Sequence, residues 1–245
     1  KMNPEQLEAA ITPKTKMLIL CSPSNPTGSV YSEEELAGLA EVIKKHEGMY
    51  VLADEIYEHI SYIGKHASIA KIEGMKERSI IVNGVSKAYA MTGWRIGYIA
   101  APEWIVKGCN KLQGQYTSGP CSVSQKAAEA AYTLEQGCVE DMRKAFERRR
   151  DLIVELAKDI PGLEVNVPEG AFYLFPKCSS FFGKSNGEKT INSSTDFALY
   201  LLEKAHVATV SGDAFGDPEC FRMSYATSDE NIKEAIQSGK PVVVD

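Results

Sequence analysis

The chain has 245 residues, 44% hydrophobic and 24% charged, which suits a globular protein of two compact units better than one. Its formal net charge of −6 gives no electrostatic reason to expect a nucleic acid or an anionic membrane surface as partner. No run approaches the roughly 18 consecutive apolar residues of a membrane span, and no signal-peptide pattern is present, so the expected location is cytoplasmic.

In chain order, four apolar, β-rich runs come first, at residues 17–22, 50–55, 79–84 and 95–101. The first three recur about every 30 residues, the spacing of βαβ units with a helix in each crossover. The first crossover helix is well signalled. Ser32 and Glu35 form a capping box, and Leu36, Leu39, Ala40 and Ile43 recur on one face. The gap between the third and fourth runs is too short for a helix, so the fourth strand is predicted antiparallel. The expectation is an α/β fold with a mainly parallel sheet and helices on both faces.

Two helices are predicted next, at 122–134 and 138–159. In the second, Met142, Phe146, Ile153, Leu156 and Ile160 fall near helical spacing, and Pro161-Gly162 stops it. Arg148, Arg149 and Arg150 within it read as a solvated helix face. The texture then changes to short strands at 164–167, 172–175, 207–210 and 221–226 around one helix at 196–205, a smaller α+β unit. The polar segment GKSNGEKTINSS (183–194) reads as a loop. The tail QSGKPVVVD, with Gly239 and Pro241, reads as a helix stop after NIKEAI. Cys21, Cys109, Cys121, Cys138, Cys178 and Cys220 are scattered, without a C-x-x-C pair or a histidine at ligand spacing. They read as reduced thiols, with no metal site expected. His46, His59, His66 and His206 read as surface residues.

Three turns follow the first three runs: SPSNPTG (22–28), ADEIY (53–57) and SKAYAMTGWR (86–95). The carboxyl ends of parallel strands share one edge, where ligands bind in open α/β folds. Asn25, Asp54, Tyr57, Ser86 and Lys87 are therefore predicted to converge. A lysine directly after a buried strand is costly to desolvate unless it is used. An amine, a carboxylate, a phenol, an amide, a hydroxyl and the Arg95 guanidinium together suit pyridoxal phosphate. That cofactor needs a lysine for its Schiff base, an acid for its pyridine nitrogen and donors for its phosphate. Desolvation and a neighbouring cation such as Arg95 would favour the neutral, nucleophilic amine of Lys87. Arg95 offers a planar fork of donors to phosphate, and Ser86 a hydroxyl. Plainer readings stand beside these: a surface lysine, solvated turn carboxylates, a packing tyrosine, and NPTG as a turn-forming sequence only. Trp94 is expected to pack beside the fourth strand.

These motifs, in this order, resemble the fold-type I pyridoxal-phosphate enzymes, and class I aminotransferases in particular. SPSNPTG, GAFYLF (170–175), GDAFG (212–216) and FRMSYA (221–226) are similar to stretches of the prokaryotic-type aspartate aminotransferases, the aspartate/prephenate group. The resemblance runs over about residues 3–236. It implies that Lys87 is the catalytic residue, forming the internal aldimine and, once displaced by substrate, shuttling the proton. It implies that Asp54 keeps the pyridine nitrogen protonated, that Tyr57 and Asn25 bond the ring's phenolic oxygen, and that Ser86 and Arg95 hold the phosphate. Arg222 would clamp the substrate α-carboxylate bidentately, with Asn25 reaching the same group.

The same resemblance implies amino-acid and 2-oxo-acid substrates, with aspartate as the expected donor. It implies a homodimer, with QGQYTSG (113–119) as the interface-facing loop. Residues 1–140 would be part of a large cofactor-binding domain, and 141–245 an interdomain helix and small C-terminal domain. The family's N-terminal part, with a phosphate-cradling turn and a ring-stacking aromatic, would be missing, leaving apolar edges of the sheet bare. A lyase or synthase on the same fold stays open, as does a fragment that folds without binding cofactor. No G-x-G-x-x-G follows the first run, which sets dinucleotide binding aside.

Overall fold

The computed structural model describes the backbone of residues 1–244 and the side chains of residues 1–239. The chain divides into one unit of Lys1–Pro23 and Ser29–Arg143 and a second of Ser24–Gly28 and Lys144–Asp245.

In the first unit the apolar runs form β1 (Met17–Cys21), β2 (Tyr50–Asp54), β3 (Ser79–Gly84) and β4 (Gly97–Ala100), in the order β1-β2-β3-β4. The first two pairings are parallel and the third antiparallel. Helix α1 (Pro4–Ala10) precedes the sheet, and α2 (Glu33–Lys45) is the crossover from β1 to β2. The Ser32 hydroxyl accepts from the Glu35 backbone N–H at 3.1 Å, and the Glu35 carboxylate accepts from the Ser32 N–H at 2.8 Å. That capping box starts the helix where the sequence predicts. Its apolar face (Leu36, Leu39, Ala40, Ile43) joins Leu20, Val51 and Ala53 of the sheet in a buried aliphatic core. Each such Leu or Ile contributes about 1.5–3 kcal/mol by leaving water. β1 shows the contrast between its two faces: Leu20 is 6% exposed and its neighbour Ile19 is 72% exposed.

Helices α3 (Glu103–Tyr116), α4 (Ser122–Thr133) and α5 (Gly137–Lys158) follow, the last carrying the chain from the first unit into the second. α3 is not among the helices predicted above. This helix has no side-chain cap, no buried residue, and glycines at 108 and 114, so neither a start signal nor a buried stripe marks it. The expected loop at 113–119 is corrected accordingly. Residues 113–116 are helical, the Thr117 N–H closing the last turn onto the Gln113 carbonyl at 3.0 Å, and only 117–119 lie beyond it.

The second unit has a small antiparallel sheet of β5 (Tyr173–Leu174), β6 (Val210–Ser211) and β7 (Phe221–Ser224), ordered β5-β7-β6. The strand expected at 164–167 reduces to a single bridge between Glu164 and Lys177. Helix α6 (Ser194–Ala205) places Phe197 in an aromatic core, stacked on Phe181 at 5.2 Å and edge-on to Phe221 at 5.0 Å. Segment 183–194 is drawn together by a bridge between Ser185 and Thr190.

Two further expectations are corrected in this unit. The arginine run is a set of ties as well as a solvated face. Arg148 and Arg149 both pair with Asp229, and the Arg150 guanidinium donates to the Pro168 carbonyl at 2.7 Å. The C-terminal stop is absent: α7 runs over Asp229–Val244, through Gly239 and Pro241. Ile232 and Ile236 are buried, Gly239 lies against Leu201, and α7 packs on α6, so tertiary packing overrides the local breakers. None of the six cysteines forms a disulfide. Among the described residues, no helix is long and apolar enough to cross a membrane.

Candidate functional site

The parallel order of β1, β2 and β3 puts their carboxyl ends on one edge, and the register fixes what stands there. Asp54, the last residue of β2, pairs with Cys21 of β1 and Val82 of β3. Its carboxylate accepts from the Ile56 N–H at 3.2 Å, an Asx-type turn that bends the chain as it leaves the sheet. The turn continues through Glu58 N–H to the Glu55 carbonyl at 2.9 Å and Ile60 N–H to the Tyr57 carbonyl at 2.8 Å. Tyr57 is thereby buried to 3% exposure.

β3 ends at Gly84; buried Val85 follows, then half-buried Ser86 and Lys87. The Lys87 ammonium lies 5.7 Å from the centre of the Tyr57 ring, within cation–π range. The chain then reverses through Ala90, at φ 52°, and returns as β4, pairing Gly97 with Gly84. Because β4 is antiparallel, its start adjoins the end of β3. A Cβ on Gly84 would stand 2.7 Å from the Ile96 carbonyl oxygen, so glycine permits this close return. Arg95 precedes the strand rather than opening it. It is exposed and left-handed at φ 55°, and its Nη1 donates to the Thr92 carbonyl at 2.9 Å. Trp94 is 45% exposed, against the packing role expected of it. Tyr89, two residues past Lys87, donates to the Gln136 side-chain oxygen at 2.7 Å, and burial pushes its phenol pKa up.

His66, read as a surface residue, is a correction. Its side chain is 10% exposed, with Nε2 3.1 Å from a carboxylate oxygen of Glu55, itself 8% exposed. Glu58 in turn accepts from the Asn83 amide at 2.8 Å. The signal for Glu55 is present in the sequence: strand side chains alternate, so a carboxylate following Asp54 at a strand end faces the opposite side and needs a partner there. His66 gives no such signal, since no periodicity links it to Glu55.

In the second unit, Arg222 of β7 pairs with Val210 of β6. Its Nη1 donates to the Asn25 side-chain oxygen at 2.8 Å, and its guanidinium carbon lies 4.6 Å from the Tyr173 ring and 4.9 Å from the Phe215 ring. Two rings and an amide hold a flat cation in a fixed plane, the geometry for which arginine suits a carboxylate better than lysine. Because the Asn25 oxygen accepts from Arg222, its NH₂ group is left to donate elsewhere. The segment holding Asn25 is stitched into this unit. The Gly28 carbonyl accepts from both Glu169 and Gly170 N–H at 2.9 Å, and Asn166 donates to the Thr27 carbonyl at 2.9 Å. NPTG is thus more than a turn. Tyr173 and Phe215 go unassigned in the sequence reading, although both lie in quoted motifs, GAFYLF and GDAFG.

A family model described as aminotransferase class I and II matches residues 1–238. A bifunctional aspartate aminotransferase and glutamate/aspartate-prephenate aminotransferase of Petunia hybrida is 48% identical over 99% of this chain and 52% of its own length. A probable aspartate/prephenate aminotransferase of Rickettsia bellii is 50% identical over 96% of this chain and 60% of its own. The crystal structure of the aspartate aminotransferase from Rhizobium meliloti superposes with a TM-score of 0.95 at 46% identity, covering 99% of this chain and 62% of that one. The chain therefore spans between about half and two thirds of the length of these relatives.

Proposed function

The chain belongs to the class I and II aminotransferases, and from that premise we propose that it is part of an enzyme moving an amino group between an amino acid and a 2-oxo acid, with pyridoxal phosphate as cofactor. Aspartate is the donor to test first. The observation that carries the reading is the meeting of Lys87 and Tyr57, 5.7 Å apart, beyond the carboxyl ends of β3 and β2, with Asp54 on the same edge.

The residues present fit this cofactor by the chemistry of their donors: an amine, a carboxylate, a phenol, a hydroxyl and a guanidinium. When bound, pyridoxal phosphate supplies an aldehyde carbon for the lysine and a ring that draws electrons from the substrate's α-carbon. Lys87 Nζ would hold the cofactor through that aldehyde carbon, its oxygen leaving as water, and a freed Nζ would accept a proton from the substrate's α-carbon and pass it on. The Asp54 carboxylate holds a proton at the ring nitrogen. Tyr57 donates its hydroxyl to the ring's phenolic oxygen. Ser86 and Arg95 bind phosphate oxygens, Arg95 with the N–H groups not engaged by the Thr92 carbonyl. Arg222 binds the substrate carboxylate in the plane set by Tyr173 and Phe215, and the Asn25 NH₂ donates beside it.

The test is a visible spectrum of the purified chain with pyridoxal phosphate, followed by borohydride reduction and peptide mass mapping. The reading requires a reduced adduct on Lys87 that is lost in Lys87→Ala. An adduct spread over surface lysines, or none, refutes it for this chain. Aspartate added to the loaded protein should then give the aminated cofactor and a 2-oxo acid in equal amounts; ammonia release instead would mean elimination.

The reading extends to a homodimer. Trp104, Leu112 and Tyr116 of α3, at 62%, 62% and 85% exposed, offer apolar surface beside the loop at 117–119. Sedimentation of wild-type chain against Tyr116→Lys decides this. A cytoplasmic location is consistent with six cysteines outside any disulfide.

A further inference from the structure

Tyr57 and Lys87 come from turns that follow two different strands, and the sheet ladder ends before either of them. Its last bond is from Glu55 N–H to the Val82 carbonyl at 2.9 Å. We propose that Glu58 and Asn83 are positioning residues that set the spacing between the Tyr57 turn and the Lys87 turn. The proposal deepens, and rests on, the reading of Lys87 as the cofactor-binding lysine.

Asn83 lies on β3, four residues before Lys87, and is 5% exposed. Its side-chain oxygen accepts from the Gly84 N–H at 2.7 Å, which orients the amide and directs its NH₂ to the Glu58 carboxylate at 2.8 Å. Glu58 lies one residue past Tyr57, with 28% of its side chain exposed. One charge-assisted hydrogen bond therefore spans from the Tyr57 turn to the strand that delivers Lys87. A buried amide without that partner would carry a desolvation penalty, so the two segments are held together rather than merely adjacent.

The Asn83–Glu58 hydrogen bond serves as a bracket between the two turns.

The bracket is read without cofactor, from the rate at which a small acetylating reagent modifies Lys87 in the whole chain, followed by peptide mass mapping. Exposed Lys107 serves as internal reference. Asn83→Asp sets two carboxylates against each other and should raise the Lys87 rate about fivefold, the shift in a local equilibrium expected from one buried hydrogen bond. Glu58→Gln keeps an acceptor for the Asn83 amide and should stay near the wild-type rate. The double variant Asn83→Asp/Glu58→Gln rebuilds the bond with its polarity reversed and should restore that rate. Thermal melts confirm that all three are folded. Equal Lys87 rates in wild type and Asn83→Asp, or no rescue in the double variant, overturn the proposal. Absence of a pyridoxal-phosphate adduct on wild-type Lys87 would count against the cofactor reading alone, since acetylation still reports the bracket.

Discussion

Replacing Gly84 by alanine tests how the end of β3 is held. A Cβ there would lie 2.7 Å from the Ile96 carbonyl oxygen and 2.9 Å from the Gly97 Cα. Ordinary contact distances are about 3.5–4.0 Å, and both obstructing atoms are backbone, so no rotamer change relieves the overlap. β3 and β4 must separate at the Gly84–Gly97 pair, directly before Ser86 and Lys87. Overpacking of this kind costs about 1–3 kcal/mol, offset by about 0.4–1 kcal/mol because alanine restricts the unfolded chain. A net loss of about 1–2 kcal/mol follows. Gly108 is the control: it lies inside exposed α3, nothing stands within 4 Å of its Cβ position, and alanine there should gain about 0.5–1 kcal/mol. Urea unfolding with an unchanged m-value reads both differences. Gly84→Ala as stable as wild type, or a loss at Gly108 equal to that at Gly84, would refute the packing argument.

Phe197→Ala removes the ring between Phe181 and Phe221 from a site 1% exposed and should lower stability by about 3–5 kcal/mol in denaturant titration. Ser32→Ala opens the α2 capping box and should cost about 1 kcal/mol by the same assay, with Ser32→Asp restoring most of it. Alkylation at mildly alkaline pH should modify Cys121 first, because the Ser124 and Val123 N–H groups hold its thiol below the usual range, and Cys178 and Cys220 last. Burial pushes those two thiols from 9.0 to about 12, so their contribution to stability is level below pH 9.0 and falls as pH rises toward 12, because the unfolded chain loses these protons first. Unfolding midpoints across that range, compared with the Cys178→Ala/Cys220→Ala variant, measure the effect; an identical slope in the variant would exclude it.

The parts legible in the sequence are those in which local chemistry and burial agree. β1, β2 and β3 are apolar runs ended by turn residues, α2 has a capping box ahead of a buried stripe, and the short link before β4 forces an antiparallel return. α3 lacks both signals, and α7 contradicts its own local signal because Ile232 and Ile236 bury against partners far away in sequence. The site divides in the same way. Lys87, Asp54 and Tyr57 are readable because each sits at a strand end, where topology determines the neighbours. His66 becomes visible only when the fold brings Glu55 to it, and Tyr173 and Phe215 only when they are seen against Arg222.

Arg222 and Asn25 are 197 residues apart in the chain yet directly bonded, because Ser24–Gly28 folds as part of the second unit. On the proposed function, carboxylate recognition at Arg222 would therefore depend on the aromatic core of Phe181, Phe197 and Phe221. The lysine chemistry proposed for Lys87 would depend instead on the aliphatic core of Leu36, Leu39 and Ile43 beneath the four-stranded sheet. A core lesion in one unit should damage one half of the function and spare the other. Phe197→Ala should weaken carboxylate binding at Arg222 while leaving the Lys87 acetylation rate unchanged, and Leu39→Ala should do the reverse. A parallel loss of both properties in either variant would mean that the two cores unfold as one cooperative block.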